Sequence, residues 1–188
     1  MRRYLTPLLM ILTALALALP AGSTLAAHRG VTIAALLPED ENWSEIGATQ
    51  GGLYGQSVAG AGDIDDDGFA DIIVGSPAYA EEGSIDKIGA AYVYYGDGGN
   101  QSGISEERET FITTNTKGSS FGAAVSSAGD VNGDGYDDVI VGAPMHHVAV
   151  EHEGAVYLFY GAIGGLSTMP AWSKTGNTPD ARFGCAVA

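Results

Sequence analysis

One block of residues is written twice in this chain, and its opening is written a third time. Tyr54-Gly55-Gln-Ser-Val58 returns downstream as Phe121-Gly122-Ala-Ala-Val125. At that same displacement Asp63-Ile-Asp-Asp-Asp-Gly-Phe-Ala-Asp71 returns as Asp130-Val-Asn-Gly-Asp-Gly-Tyr-Asp-Asp138, and Gly75-Ser-Pro77 as Gly142-Ala-Pro144. Gly89-Ala-Ala-Tyr-Val-Tyr-Tyr-Gly96 matches Gly154-Ala-Val-Tyr-Leu-Phe-Tyr-Gly161 at a slightly smaller displacement, so the loop before it is two residues shorter in the second copy. Phe183-Gly184-Cys-Ala-Val187 opens a third copy. Self-similarity at a fixed period restricts the fold to units that bury their faces by stacking on neighbours.

Each unit reads as strands. Ile72-Ile-Val74-Gly75 and Val139-Ile-Val141-Gly142 are β-branched runs bounded by Gly and Pro, the pattern of a buried strand. The Tyr/Phe-Gly segment, the Gly-Ala-x-Tyr run and an outer aromatic segment supply three more. Trp43-Ser44 precedes Tyr54 by the same interval at which Trp172-Ser173 precedes Phe183, and Phe111, within Glu109 to Thr114, takes nearly the same place before Phe121. Tyr92, Tyr94, Tyr157 and Phe159 read as ordinary core packing at strand spacing.

The nine-residue stretches between the first two strands carry chemistry. Positions 1, 3, 5 and 9 bear side-chain oxygens and position 6 is glycine. A tight loop turns alternate side chains inward, and position 7 offers a backbone carbonyl. Calcium takes six to eight oxygens at about 2.3–2.6 Å, and this spacing suits it. The expected ligands are Asp63, Asp65, Asp67 and Asp71 with the carbonyl of Phe69, then Asp130, Asn132, Asp134 and Asp138 with the carbonyl of Tyr136. An EF-hand is excluded, because position 12 is Val74 or Val141 rather than Glu, and a strand follows rather than a helix. Asp, Asn and Gly also favour turns that hold no metal. Two matching loops in equivalent places weigh against that reading.

The Phe/Tyr-Gly start, the D-x-D/N-x-D-G-x-x-D loop and the Gly-Ala/Ser-Pro after it resemble the FG-GAP repeat of integrin α-subunit β-propellers and their bacterial relatives. The resemblance covers about residues 43–188, with Tyr54 replacing the usual Phe. It implies that each repeat is one four-stranded blade of a seven-bladed propeller with calcium between the first two strands. The expected fold is therefore all-β. It is a partial propeller of about two four-stranded antiparallel blades plus the first strand of a third. Its parts are a lead-in with an outer strand at 28–49, repeats at 50–114 and 115–176, and a third start at 177–188. Two blades leave sheet faces uncovered, so the chain reads as a truncated gene product, or as a protomer that completes a ring by oligomerising.

Residues 1–27 read as a secretory signal peptide. Arg2 and Arg3 precede an apolar run from Leu5 to Leu19, and small residues suited to cleavage end at Ala26 and Ala27. The run is short for a membrane anchor, which needs about 20 residues. The expected location is extracellular, or the periplasm or cell surface of a bacterium. Without that segment 6 Lys and Arg face 23 Asp and Glu, which argues against nucleic acid or an anionic membrane as partner. Cys185 is the only cysteine, so no intrachain disulfide forms, and a small core position is the expectation for it. Asn42-Trp-Ser and Asn100-Gln-Ser are formal glycosylation sequons.

His146, His147 and His152 crowd one stretch with Glu151 and Glu153, but they fall in the variable loop between second and third strands. No catalytic triad order, phosphate loop or zinc motif is present, and calcium would hold paired carboxylates ionised rather than raise the pKa of one for catalysis. The expected function is a secreted, calcium-binding, non-enzymatic propeller module. It would act by protein–protein or cell-surface contact. The alternatives are the non-catalytic part of a larger secreted hydrolase and a non-functional gene fragment.

Overall fold

The computed structural model describes residues 44–47, 49–97, 103–147 and 149–188. The expected signal peptide, most of the lead-in with Trp43, and the sequon residues Asn42 and Asn100 lie outside the described residues. Eight strands follow in order: β1 (Ser57–Gly62), β2 (Asp71–Ser76), β3 (Ala90–Gly96), β4 (Ile104–Ile112), β5 (Ala124–Gly129), β6 (Asp138–Ala143), β7 (Ala155–Phe159) and β8 (Trp172–Thr175). They form two four-stranded sheets, β1-β2-β3-β4 and β5-β6-β7-β8, with every pairing antiparallel. No helix occurs among the described residues. The all-β expectation holds, and each sheet is one blade.

Equivalent residues keep equivalent registers. Ile73 lies opposite Ala59 and Val93, and Ile140 lies opposite Ser126 and Leu158. The register slips between Gly60 and Gly62 and again between Ser127 and Gly129, so a bulge ends each first strand just before its acidic loop. A bulge bends the strand and ends its pairing, which aims the following loop off the sheet's end.

The continuous apolar character of β2 and β6 has a plain cause: both faces of these strands meet neighbours. One face of the first blade, with Ile73, Ala91, Val93 and Tyr95, packs on Val125, Val139, Val141, Tyr157 and Phe159 of the second. Phe121 lies at the centre of this joint, fully buried, with ring centroids 5.5 Å from Tyr157 and 6.1 Å from Phe159. Val74, Tyr94 and Ile104 lie on the opposite face of the first blade, with Tyr54, Ile72 and Tyr92 against them.

The Phe/Tyr-Gly and Gly-Ala/Ser-Pro landmarks meet across the joint. Gly75, next to last in β2, lies against Gly122 of the next repeat, and a Cβ at Gly75 would collide with the Gly122 carbonyl. Gly122 itself has φ 86° and sits against the Ala90 carbonyl, while Ser57 Oγ donates to the Gly122 carbonyl at 2.9 Å. Gly142 and Gly184 repeat the arrangement one unit on. Only residues without a side chain let two backbones approach so closely.

Phe121 makes a parallel bridge to Gly89, and Phe183 makes the same bridge to Gly154. The third copy is therefore seated on the second as the second is on the first. Residues 177–188 hold no named strand. β1 and β5 owe their ladders to β2 and β6, and residues 183–188 have no such neighbour among the described residues. The expectation of a buried Cys185 fails, since it is exposed. The turn after Phe183-Gly184 carries it outward, just as the equivalent Gln56 is exposed in the first copy.

Candidate metal centre

Loop 1 (63–71) joins β1 to β2, and loop 2 (130–138) joins β5 to β6. Their carboxylates first serve the loop's own backbone, because a chain that reverses this tightly strands several N–H groups. In loop 1 Asp63 accepts the N–H groups of Asp67 (3.1 Å) and Gly68 (2.9 Å), and Asp67 accepts that of Phe69 (3.0 Å). In loop 2 Asp130 accepts from Gly133 (2.7 Å), Asp134 (3.0 Å) and Gly135 (2.9 Å), and Asp134 accepts from Tyr136 (3.1 Å).

The ninth positions are the best fixed. Asp71 Oδ2 accepts the Ile64 N–H at 2.8 Å and its Oδ1 the Gly96 N–H at 2.8 Å. Asp138 Oδ2 accepts the Val131 N–H at 2.9 Å and its Oδ1 the Gly161 N–H at 3.0 Å. Each of these carboxylates is buried and pins its loop's second residue to the glycine at the far end of the blade's third strand, Gly96 closing β3 and Gly161 just past β7. Phe69 and Tyr136, at position 7, lay their Cβ atoms over those same glycines, Gly96 and Gly161.

Loop 1 gathers its acids. Ligand oxygens of Asp63, Asp65 and Asp71 lie within 4.8 Å of one another, the one such group of His, Cys, Asp or Glu among the described residues. Asp65 is 7 % exposed and Asp71 1 %. Burial pushes the Asp71 carboxyl up to about 6, the Gly96 and Ile64 N–H groups pull the other way, and the charges of Asp65 and Asp67 add to the rise. Carboxylates crowded away from water are costly unless a cation joins them. A hard dication bound by oxygen fits this donor set. Asp67, expected in the cage, is not in the converging group.

Loop 2 is arranged differently. Asn132 Nδ2 donates to Asp134 Oδ2 at 2.8 Å, and Asn132 Oδ1 accepts the Asp134 N–H at 3.0 Å. Its expected ligands Asp130, Asn132, Asp134 and Asp138 share one loop, and with Asn132 in the place of Asp65 it carries two acids, Asp130 and Asp138, at the positions that converge in loop 1. The N–H groups of Gly135, Gly133 and Asp134 hold the exposed Asp130 carboxyl below its ordinary value.

Two features of these loops went unread in the sequence. Asp66 has φ 56°, the left-handed backbone that Gly133 adopts at the matching place with φ 79°. Asp137, at position 8, reaches the other loop, with Oδ2 accepting the Asp63 N–H at 2.9 Å. Position 8 of loop 1 is Ala70, so no repeat signal marks Asp137.

The histidine stretch disperses. His146 is buried with Nδ1 3.1 Å from the Tyr157 hydroxyl, and burial lowers its pKa while Glu153 opposes that and His147 adds to it. His147 Nδ1 lies by the Met145 carbonyl and His152 Nδ1 by Asp180. Glu153 is fully buried and accepts the Ala149 N–H at 3.1 Å.

Comparison with known proteins agrees with this architecture. The FG-GAP repeat family matches residues 54–94 and 121–159. Integrin alpha-6 of Gallus gallus is 34% identical over 169 residues, which is 86% of this chain and 15% of that protein. Integrin alpha-6 of Homo sapiens is 34% identical over 168 residues, 89% of this chain and 13% of its own. Integrin alpha-3 of Mus musculus is 36% identical over 123 residues, 65% of this chain and 11% of its own. The chain thus spans 15% or less of the length of these relatives.

Proposed function

Since this chain carries two FG-GAP repeats, each folded as one propeller blade, we propose that it is a secreted, calcium-binding adhesion module. The observation that carries the metal reading is the convergence of Asp63, Asp65 and Asp71 at the end of the first blade. Two buried carboxylates beside a half-buried third leave a concentrated negative charge that calcium neutralises without a proton. Asp63, Asp65, Asp67, Asp71 and the Phe69 carbonyl hold the first ion in this reading. Asp130, Asn132, Asp134, Asp138 and the Tyr136 carbonyl hold the second, after Asn132 turns its amide away from Asp134.

Calcium supplies charge neutralisation and stiffness here. It closes each loop over the end of its blade, so binding is coupled to folding. Extracellular sites of this type bind at about 10⁻⁴–10⁻³ M, which millimolar calcium fills. Integrin-like adhesion to a protein or cell-surface ligand is what the similarity to integrin alpha subunits implies. The module acts by contact and catalyses nothing. The basic and apolar character of residues 1–19 supports export, and no helix of the described residues is long and apolar enough to cross a membrane.

Calcium calorimetry on the chain and on Asp67→Ala and Asp134→Ala tests the metal reading. Two sites are expected, each lost in its own variant; unchanged stoichiometry in both variants refutes the ligand assignment. Adhesion is tested by host cells settling on the immobilised chain. Binding should vanish on chelation and return with calcium, and binding indifferent to chelation counts against a calcium-dependent contact.

A further inference from the structure

Resting on that calcium reading, we propose that the two loops bind calcium as a coupled pair and that Asp137 couples them. Asp137 belongs to loop 2 by sequence but serves loop 1 by position. Its Oδ2 accepts the Asp63 N–H at 2.9 Å, and its own N–H donates to the Asp63 carbonyl at 3.0 Å. Both backbone groups of the first ligand are therefore held by one residue of the neighbouring blade. The exit of β7 adds a second link. Gly161 donates to the ligand Asp138 at 3.0 Å, and the next residue, Ala162, donates to the Ile64 carbonyl at 3.1 Å.

The contact is built into the backbone. Gly62 has φ 83°, and a Cβ there would lie inside the Asp137 carboxylate. An ion in loop 2 fixes the backbone around Asp138 and hence Asp137. Asp137 then fixes Asp63, so an ion entering loop 1 has less ordering left to do. Its negative charge, beside both sites, also offsets repulsion between the ions.

A double-mutant cycle read by calcium calorimetry tests the coupling. Asp134→Ala, which removes the loop 2 ion, should weaken loop 1 about five-fold or more. In an Asp137→Ala background the same change should leave loop 1 affinity unaltered. An equal loss in both backgrounds, or none in the parent, overturns the proposal. Absence of any calcium binding by the parent chain refutes instead the reading beneath it. Should Asp137→Ala fail to fold, amide exchange in Asp67→Ala replaces the cycle. Calcium held by loop 2 alone should slow exchange of the Asp63 N–H about five-fold or more; unchanged exchange overturns the coupling.

Discussion

Asp66 and Gly133 hold the same left-handed backbone at the fourth place of their loops, with φ 56° and 79°. That conformation costs an L side chain about 1–2 kcal/mol, less for Asp than for most residues. Gly133→Ala should therefore lower stability by about 1 kcal/mol. Asp66→Gly should cost little or stabilise. Thermal melts at fixed calcium decide it, and a Gly133→Ala protein as stable as the parent would contradict the geometry.

The joint between blades gives a sharper contrast. Gly55 and Gly122 are equivalent and both left-handed, at φ 79° and 86°. A Cβ at Gly55 meets nothing within 4 Å among the described residues, while one at Gly122 strikes the Ala90 carbonyl. Gly122→Ala should be the more destabilising by about 1–3 kcal/mol, since it adds overpacking to the shared conformational cost. Equal losses in urea unfolding would mean that the blades do not meet there.

Phe159 is fully buried in the core shared by the two blades. Phe159→Ala should cost about 3–5 kcal/mol. Because the cavity opens at the joint, tryptic susceptibility should rise in both repeats rather than in the second alone. Cleavage confined to the second repeat would indicate blades that fold independently.

Asp71 gives the metal-free protein a pH dependence. Its carboxyl is raised to about 6 in the folded chain from an ordinary 3.8, so the folded state holds a proton that the unfolded state has released. That contribution to stability is fully present below pH 4 and is lost as the pH rises through about 6, on the order of 2–3 kcal/mol in all. With calcium at loop 1 as proposed, the ion competes with the proton, so affinity there should fall as the pH drops below about 6. Melts with chelator across pH 4–7 check the first effect and calorimetry at pH 5 and 7 the second. Metal-free stability that climbs through this window, with Asp71 intact, would contradict the assignment.

Much of this was legible before any coordinates. The constant displacement between copies located both loops, and the runs Ile72–Gly75 and Val139–Gly142 became β2 and β6 because a β-branched run between Gly and Pro has few other uses. Local conformation recurs wherever the local sequence recurs. The differences between copies were harder to read. Asp66 shows no glycine to announce a left-handed turn, and nothing in the repeat announces that Asn132 donates to Asp134.

Sequence alone determined the repeat, the strands, the two oxygen-rich bends and the glycines that recur beside them. Only the packed structure decided that Gly75 faces Gly122, that Asp137 holds Asp63 and that Cys185 lies outside. The physical reason is range. Backbone shape is set by a few neighbouring residues, whereas the contacts between blades join groups far apart along the chain, such as Asp63 and Asp137 at 74 positions, fixed only once the blades press together.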